Sequence, residues 1–269
     1  MLLHAGFQPR PELLRISLVT PRIARAPEAK GSPVRTLPRR FYARDPRKVA
    51  RELLGKVLVR RERGREIAGR IVEVEVYLGR ADPAAHAYSG PTARNQVLFG
   101  PPGHAYVYFI YGNHHCLNVS CMPEGEAGCV LIRALEPLRG LEQMARRRRV
   151  PAEQLATERG RKMLTSGPGR LAEALGITRA RDNGKDVTAA RADLRIVDES
   201  HEPVRVATGP RVGIAKAVEE QLRYVIAGNA YVSGKASGLT SLRRTATSAR
   251  AERKVPRSSL RDSLGMTRK

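Results

Sequence analysis

The chain has 269 residues, a formal net charge of +23, 41% hydrophobic residues and no tryptophan. That composition can bury a sizeable core, and so basic a balance suits a polyanionic partner, nucleic acid first. No apolar run approaches the ~20 residues that span a bilayer, and the N-terminus lacks a secretory pattern, so a membrane protein and a secreted one are both set aside.

Taken in order, residues 1–36 scatter prolines and basic residues without a period and are expected to be a disordered or loosely packed extension. Asp45-Pro46 predicts a helix start, with the carboxylate capping free amides and proline fitting the first turn. Val49, Leu53 and Leu54 then share a face, and Gly55 stops the helix. Strands are expected at 56–61 and 67–77, joined by a turn at 62–65. In the second strand, alternation places Ile71, Glu73, Glu75 and Tyr77 on one face and Val72, Val74 and Val76 on the other. Residues 79–103 read as a long loop. A strand at 104–111, a turn at Gly112-Asn113, a return strand at 115–121, a turn at 123–128 and a strand at 129–135 follow.

A helix is expected at 138–148, ending in arginines that complement its C-terminus. Residues 151–165 are mostly polar and are given no element. A short helix at 171–175 ends at Gly176, and short strands are expected at 194–197, 204–207, 224–227 and 230–233. From Ala236 onward, Ser, Thr and basic residues predict a disordered tail. The expected architecture is α+β. One mixed domain at 37–235 carries a curved, mainly antiparallel sheet surrounded by helices, between disordered basic ends at 1–36 and 236–269.

The stretch 70–133 concentrates the chemistry: it holds five of the eight tyrosines and four of the six histidines. Aromatic rings beside a carboxylate in a basic chain suggest a pocket for a flat ligand next to an acid or base. Glu75 is the first candidate for a general base, and Glu73, on the same face, competes with it; spacing does not choose between them. Tyr77, His86 and Tyr108 are candidates for stacking on a planar group. Tyr111, beside Gly112 at a hairpin tip, is placed to wedge between base pairs. Asn118 and Arg133 lie on neighbouring predicted strands, where an amide can read the edge of a base and a guanidinium can bind phosphate or order water. Residues 114–116 (His-His-Cys) alternate between faces and do not converge on a metal ion. No Walker or dinucleotide motif occurs, which argues against nucleotide-driven chemistry. Cys116, Cys121 and Cys129 are too few for a disulfide framework and fit a reducing cytosol.

The motifs Val74-Glu75-Val76-Tyr77-Leu78-Gly79, Ala84-Ala85-His86, Tyr106-Val107-Tyr108-Phe109-Ile110-Tyr111-Gly112 and Leu117-Asn118-Val119 resemble the alkyladenine (3-methyladenine) DNA glycosylase family. So do Arg133-Ala134-Leu135-Glu136-Pro137, Ser166-Gly167-Pro168 and Pro210-Arg211-Val212-Gly213-Ile214, in the same order along residues 37–234. The resemblance implies a monomeric, monofunctional glycosylase without metal or cofactor. It would act on double-stranded DNA containing damaged purines, in the cytoplasm on nucleoid DNA. Its substrates would be alkylated purines, with hypoxanthine and ethenoadenine as further candidates. It also implies that Glu75, not Glu73, is the catalytic base, with Arg133 near the water and the DNA backbone. Tyr77, His86 and Tyr108 would line the base pocket, Asn118 would exclude guanine, and Tyr111 would intercalate. Two departures stand out: Val76 where members usually carry Ala, and Asn113 where Met is usual. Tighter packing behind the strand is expected from the first, and an altered wedge loop from the second. Two readings of other classes stand beside this one: a nucleic-acid-binding module without catalysis and an RNA-associated protein.

Overall fold

A computed structural model describes residues 35–110, 112–199, 203–234 and 238–241. In chain order these form β1 (Arg35–Thr36), α1 (Arg39–Tyr42), α2 (Pro46–Leu53), β2 (Val57–Glu62), β3 (Arg65–Tyr77), β4 (Ala105–Ile110), β5 (His114–Cys121) and β6 (Gly128–Arg139). There follow α3 (Leu141–Arg148), α4 (Glu158–Thr165), α5 (Pro168–Ala174), α6 (Arg179–Asp182), β7 (Leu194–Asp198), β8 (Val206–Gly209), β9 (Arg223–Ile226) and β10 (Thr240–Ser241). The strands make one curled sheet in the order β1-β7-β2-β3-β6-β5-β4, with β9 on β3, β8 on β9 and β10 on β8. Every pairing among the described strands is antiparallel. The α+β architecture expected from the sequence is therefore the one observed. Two short strands outside the 37–235 span, β1 and β10, also join the sheet.

Local chemistry explains the elements that were foreseen. Asp45 caps α2 by accepting the Arg47 amide at 2.7 Å, and Val49, Ala50 and Leu53 bury the helix's apolar face. The helix α4 was not foreseen, because its apolar content is slight. Thr157 caps it by accepting the Gly160 amide at 3.0 Å, and only Gly160, Leu164 and Thr165 are buried. No strand forms at 230–233. There Tyr231 packs on Val72 and Ala134, and the Ser233 amide and carbonyl are taken by side chains of Glu73 and Arg223 instead of a ladder.

The central strand β3 organises the sheet. Its first half pairs with β2 and its second half with β9, while β6 runs along its other side. Two irregularities sit where the partner changes. Ile71 opposes Leu135 and Glu73 opposes Ala134, so Val72 is an extra residue on β3; Val74 then opposes Ile132, so Arg133 is an extra residue on β6. The first bulge corrects the expected alternation. Ile71 lies in the main core with Val74 and Val76, whereas Val72 joins a separate cluster with Ala134 and Tyr231. Glu73, Glu75 and Tyr77 keep their common face.

The main core fills the space between one sheet face and helices α2 to α5, drawing in Leu53, Val107, Leu117, Ile132, Met144, Leu164 and Leu171. Val76 belongs to this core and is fully buried, so it packs behind the strand, away from the opposite face. Asn113 is exposed at the β4–β5 turn.

Candidate active site

Four adjacent strands present every second residue to the face opposite the core. These are Tyr106, Tyr108 and Ile110 from β4, His114, Cys116 and Asn118 from β5, Cys129, Leu131 and Arg133 from β6, and Glu75 and Tyr77 from β3. The pairing register carries Tyr106, Asn118, Leu131 and Glu75 straight across the sheet in one row. Together with loop residues, they wall a cavity of about 460 Å³. That lies within the ~300–1,000 Å³ range of small-ligand sites. Residues 84–87 form one side, 167–170 the rim, and 212–214 the remaining wall.

All six predicted site residues within the described chain, Glu75, Tyr77, His86, Tyr108, Asn118 and Arg133, line this one cavity. Tyr111 lies outside the described residues.

Glu75 is fully buried. Its Oε1 accepts the Val212 amide at 2.7 Å, its Oε2 accepts the Tyr77 hydroxyl at 3.1 Å, and Arg133 Nη1 stands 3.2 Å from Oε1. Burial raises its pKa above the usual carboxylate range, and the Arg133 charge, the Val212 amide and the Tyr77 hydroxyl oppose that rise only in part. A carboxylate of raised pKa is a stronger proton acceptor than an ordinary one. Arg133 itself loses water on burial, which favours its neutral form, but the carboxylates of Glu75 and Glu73 outweigh this and its pKa is raised. The β6 bulge turns the Arg133 carbonyl out to the Gly167 amide at 3.1 Å, which holds the 167–170 rim against the cavity.

The aromatic side is a packed set. The His86 ring lies edge-on to Tyr108, centroids 4.5 Å apart, and Tyr106 and Tyr108 are 5.6 Å apart. A hydrogen bond of 2.9 Å joins His86 Nδ1 and the Tyr106 hydroxyl. Loss of water, with the charge of Arg94, lowers the His86 pKa, so the imidazole is neutral at pH 7. Burial raises all three tyrosine hydroxyls, Tyr106 to about 12, so the rings stay uncharged. The Asn118 amide nitrogen donates to the Tyr106 carbonyl at 3.2 Å, and the Cys129 thiol lies 3.7 Å from Asn118 Oδ1, which fixes the amide's orientation. Cys116 and Cys129 are buried free thiols with raised pKa values, Cys129 to about 12 through burial. Among the described residues, no group of three or more His, Cys, Asp or Glu side chains could hold a metal ion.

Sequence reasoning missed several residues of the site. Leu131, Cys116 and Cys129 were within reach, since they alternate with core valines and isoleucine on strands already identified. Val212 acts through its backbone and left no side-chain signal. Asp82 and Arg211 stand 129 positions apart, and only the fold brings them together.

A curled antiparallel sheet, an aromatic-walled cavity and a buried carboxylate of raised pKa are the arrangement of an enzyme that acts on a planar group. Residues 40–230 match the methylpurine-DNA glycosylase family. The chain is 57% identical over 209 residues to a Koribacter versatilis protein, covering 78% of this chain and 98% of that one. It is 48% identical to a protein of Burkholderia cenocepacia (78% and 97% covered) and 48% identical to one of Methanoculleus marisnigri (74% and 98%). All three relatives carry the name "Putative 3-methyladenine DNA glycosylase". The chain belongs to the methylpurine-DNA glycosylase family. It is a DNA glycosylase, a hydrolase of N-glycosidic bonds. No helix among the described residues is long and apolar enough to cross a membrane.

Proposed function

We propose that this glycosylase excises alkylated purines from double-stranded DNA, 3-methyladenine foremost, and leaves an abasic site. The observation that carries the reading is Glu75, fully enclosed by protein and yet on the wall of a cavity that Tyr77, His86 and Tyr108 also line. Glu75 takes the proton of a water that attacks C1′ of the extruded nucleotide. The C1′–O bond forms, and the C1′–N bond breaks with its electron pair leaving on the purine. Arg133 orients the carboxylate and the water and faces the DNA backbone. Tyr77, His86 and Tyr108 stack on the extruded base, Asn118 opposes the exocyclic amine of guanine, and Tyr111 fills the gap left in the duplex.

The electrostatics support this. An alkylated purine in DNA carries positive charge, stacks well on electron-rich rings and leaves readily. Its weakened pairing lowers the energy of extrusion. A water-activating mechanism requires no lysine nucleophile in the cavity. The similarity to relatives named for 3-methyladenine points to that base first. The test is an excision panel on duplex DNA holding 3-methyladenine, 7-methylguanine, hypoxanthine or ethenoadenine. Release of 3-methyladenine, abolished in Glu75→Gln, is expected. Duplex binding without release of any of the four bases overturns the reading.

A further inference from the structure

The segment that brings Val212 to Glu75 is anchored by the neighbouring side chain. The Arg211 side chain is fully enclosed, and it forms a two-pronged ion pair with Asp82, itself 2% exposed, through Nη1 to Oδ2 and Nη2 to Oδ1, the latter at 2.9 Å. Arg211 Nη1 also donates to the carbonyl of Val76 at 3.0 Å, between Glu75 and Tyr77 in the chain. The guanidinium lies over the Tyr77 ring, 4.8 Å from its centroid. Asp82 in turn accepts the Leu78 amide at 3.2 Å and the Ala84 amide at 3.0 Å, which sets the turn that leads to His86. That turn begins at Gly79, at φ +64°, where a Cβ would stand 1.9 Å from the Ala127 carbonyl oxygen, so no other residue fits.

One guanidinium therefore joins three walls of the cavity: the strand carrying Glu75 and Tyr77, the loop carrying His86, and the segment carrying Val212. We propose that Arg211, clamped by Asp82, is a positioning residue that holds the Val212 amide on Glu75 and the Tyr77 ring against the cavity. The proposal rests on the reading of Glu75 as the base. A buried pair of this kind is weak as a source of stability but strong as a geometric constraint, since a planar fork binds a carboxylate in one orientation.

The charged and titratable groups that face Glu75 are Arg133 from β6, Tyr77 and Glu73 from β3, Cys116 from β5 and Arg211 from the 210–214 segment. The Val212 hydrogen bond stabilises the ionised form of Glu75. Losing it raises the Glu75 pKa, so the acidic limb of the rate profile moves to higher pH. Removing the Arg211 charge acts in the same direction, which is why the conservative variant is informative. Arg211→Lys keeps the charge but cannot hold Asp82 with two prongs and reach the Val76 carbonyl as well.

The experiment measures single-turnover excision of 3-methyladenine, duplex affinity and the pH profile for the full-length chain and for Arg211→Met, Arg211→Lys and Asp82→Asn. Displacement of a catalytic group by about 1 Å can lower a rate by about 10²-fold. A loss of that order is expected for Arg211→Met, with smaller losses in the other two. Duplex affinity should stay within a few-fold, and the acidic limb should move to higher pH in all three. Should Arg211→Met fail to fold, Arg211→Lys and Asp82→Asn read the same limb. A rate loss that only follows the fraction folded, with the limb unmoved, overturns the proposal, as does an unchanged rate in the folded variants. Activity persisting in Glu75→Gln would instead remove the underlying assignment of the base, a separate and distinguishable result.

Discussion

Glu73 and Glu75 are the same residue type, two positions apart on one strand, on one face, and both fully buried. Glu73 accepts Arg133 Nε at 3.0 Å, Arg223 Nε at 2.8 Å and the Ser233 amide at 2.6 Å, and it does not line the cavity. Glu75 has only the far end of the shared Arg133, one amide and one hydroxyl, and it opens onto the cavity. The first region closes an ion cluster that ties β3, β6 and β9 together. The second holds a carboxylate with less compensating charge beside a space for a ligand. Surroundings, not residue identity, separate a charge that fixes structure from one available for proton transfer.

The strongest way to break this comparison is Glu75→Gln, which keeps the shape and removes the carboxylate proposed as the base. Abasic-site formation should fall by about 10²–10⁴-fold, the usual span for a lost general base. Equal activity in the variant, measured on 3-methyladenine duplexes, would erase the distinction between the two sites. Glu73→Ala should act on stability instead. It leaves the buried Arg223 guanidinium without its carboxylate and Arg133 with Glu75 alone, and breaking a buried pair in this way costs about 3–5 kcal/mol. Urea denaturation should show a far smaller effect for Glu75→Gln, and equal losses would mean that both carboxylates are structural.

Titration sharpens the contrast further. Because folding raises the Glu75 pKa, the folded chain binds that proton more tightly than the unfolded one. Its contribution to stability is thus full below the ordinary Glu range and is lost as pH rises through the raised value. Relative to Glu75→Gln, the unsubstituted protein should lose stability over that window in pH-dependent melts. Excision should rise over the same window as the carboxylate ionises, and a flat rate there contradicts the base assignment. The smallest effect is expected from Tyr77→Phe. It keeps the ring and removes the 3.1 Å bond to Glu75, worth about 1.5–3 kcal/mol because the acceptor is charged. A several-fold rate loss with an alkaline shift of the acidic limb is the expected reading in single-turnover assays.

Much of this was legible along the chain because local rules suffice. Alternation from Glu73 to Tyr77 puts two carboxylates and a ring on one face, and valines on the other mark the core. The capped start of α2 and the hairpin between β4 and β5 follow from Asp45-Pro46 and Gly112-Asn113. The bulge at Val72 was not legible. Ile71 and Val72 are both apolar and serve two different clusters, so the sequence shows no break where the pleat changes phase. The helix α4 escaped because its buried side is little more than Gly160 and Leu164. The segment 230–233 has strand-like composition but gives its backbone groups to Glu73 and Arg223.

Sequence alone determined the antiparallel α+β plan, the basic character, and the set of rings and ionisable groups available for a site, since periodicity and residue type act over short spans. Tertiary structure decided which glutamate meets the cavity with its charge only partly offset, and how Arg133 is aimed by a bulge. It also brought Asp82, Arg211 and the Val212 amide to the strand that carries Glu75. These depend on pairings over more than a hundred residues and on the dielectric of a closed interior. No local pattern encodes either of them.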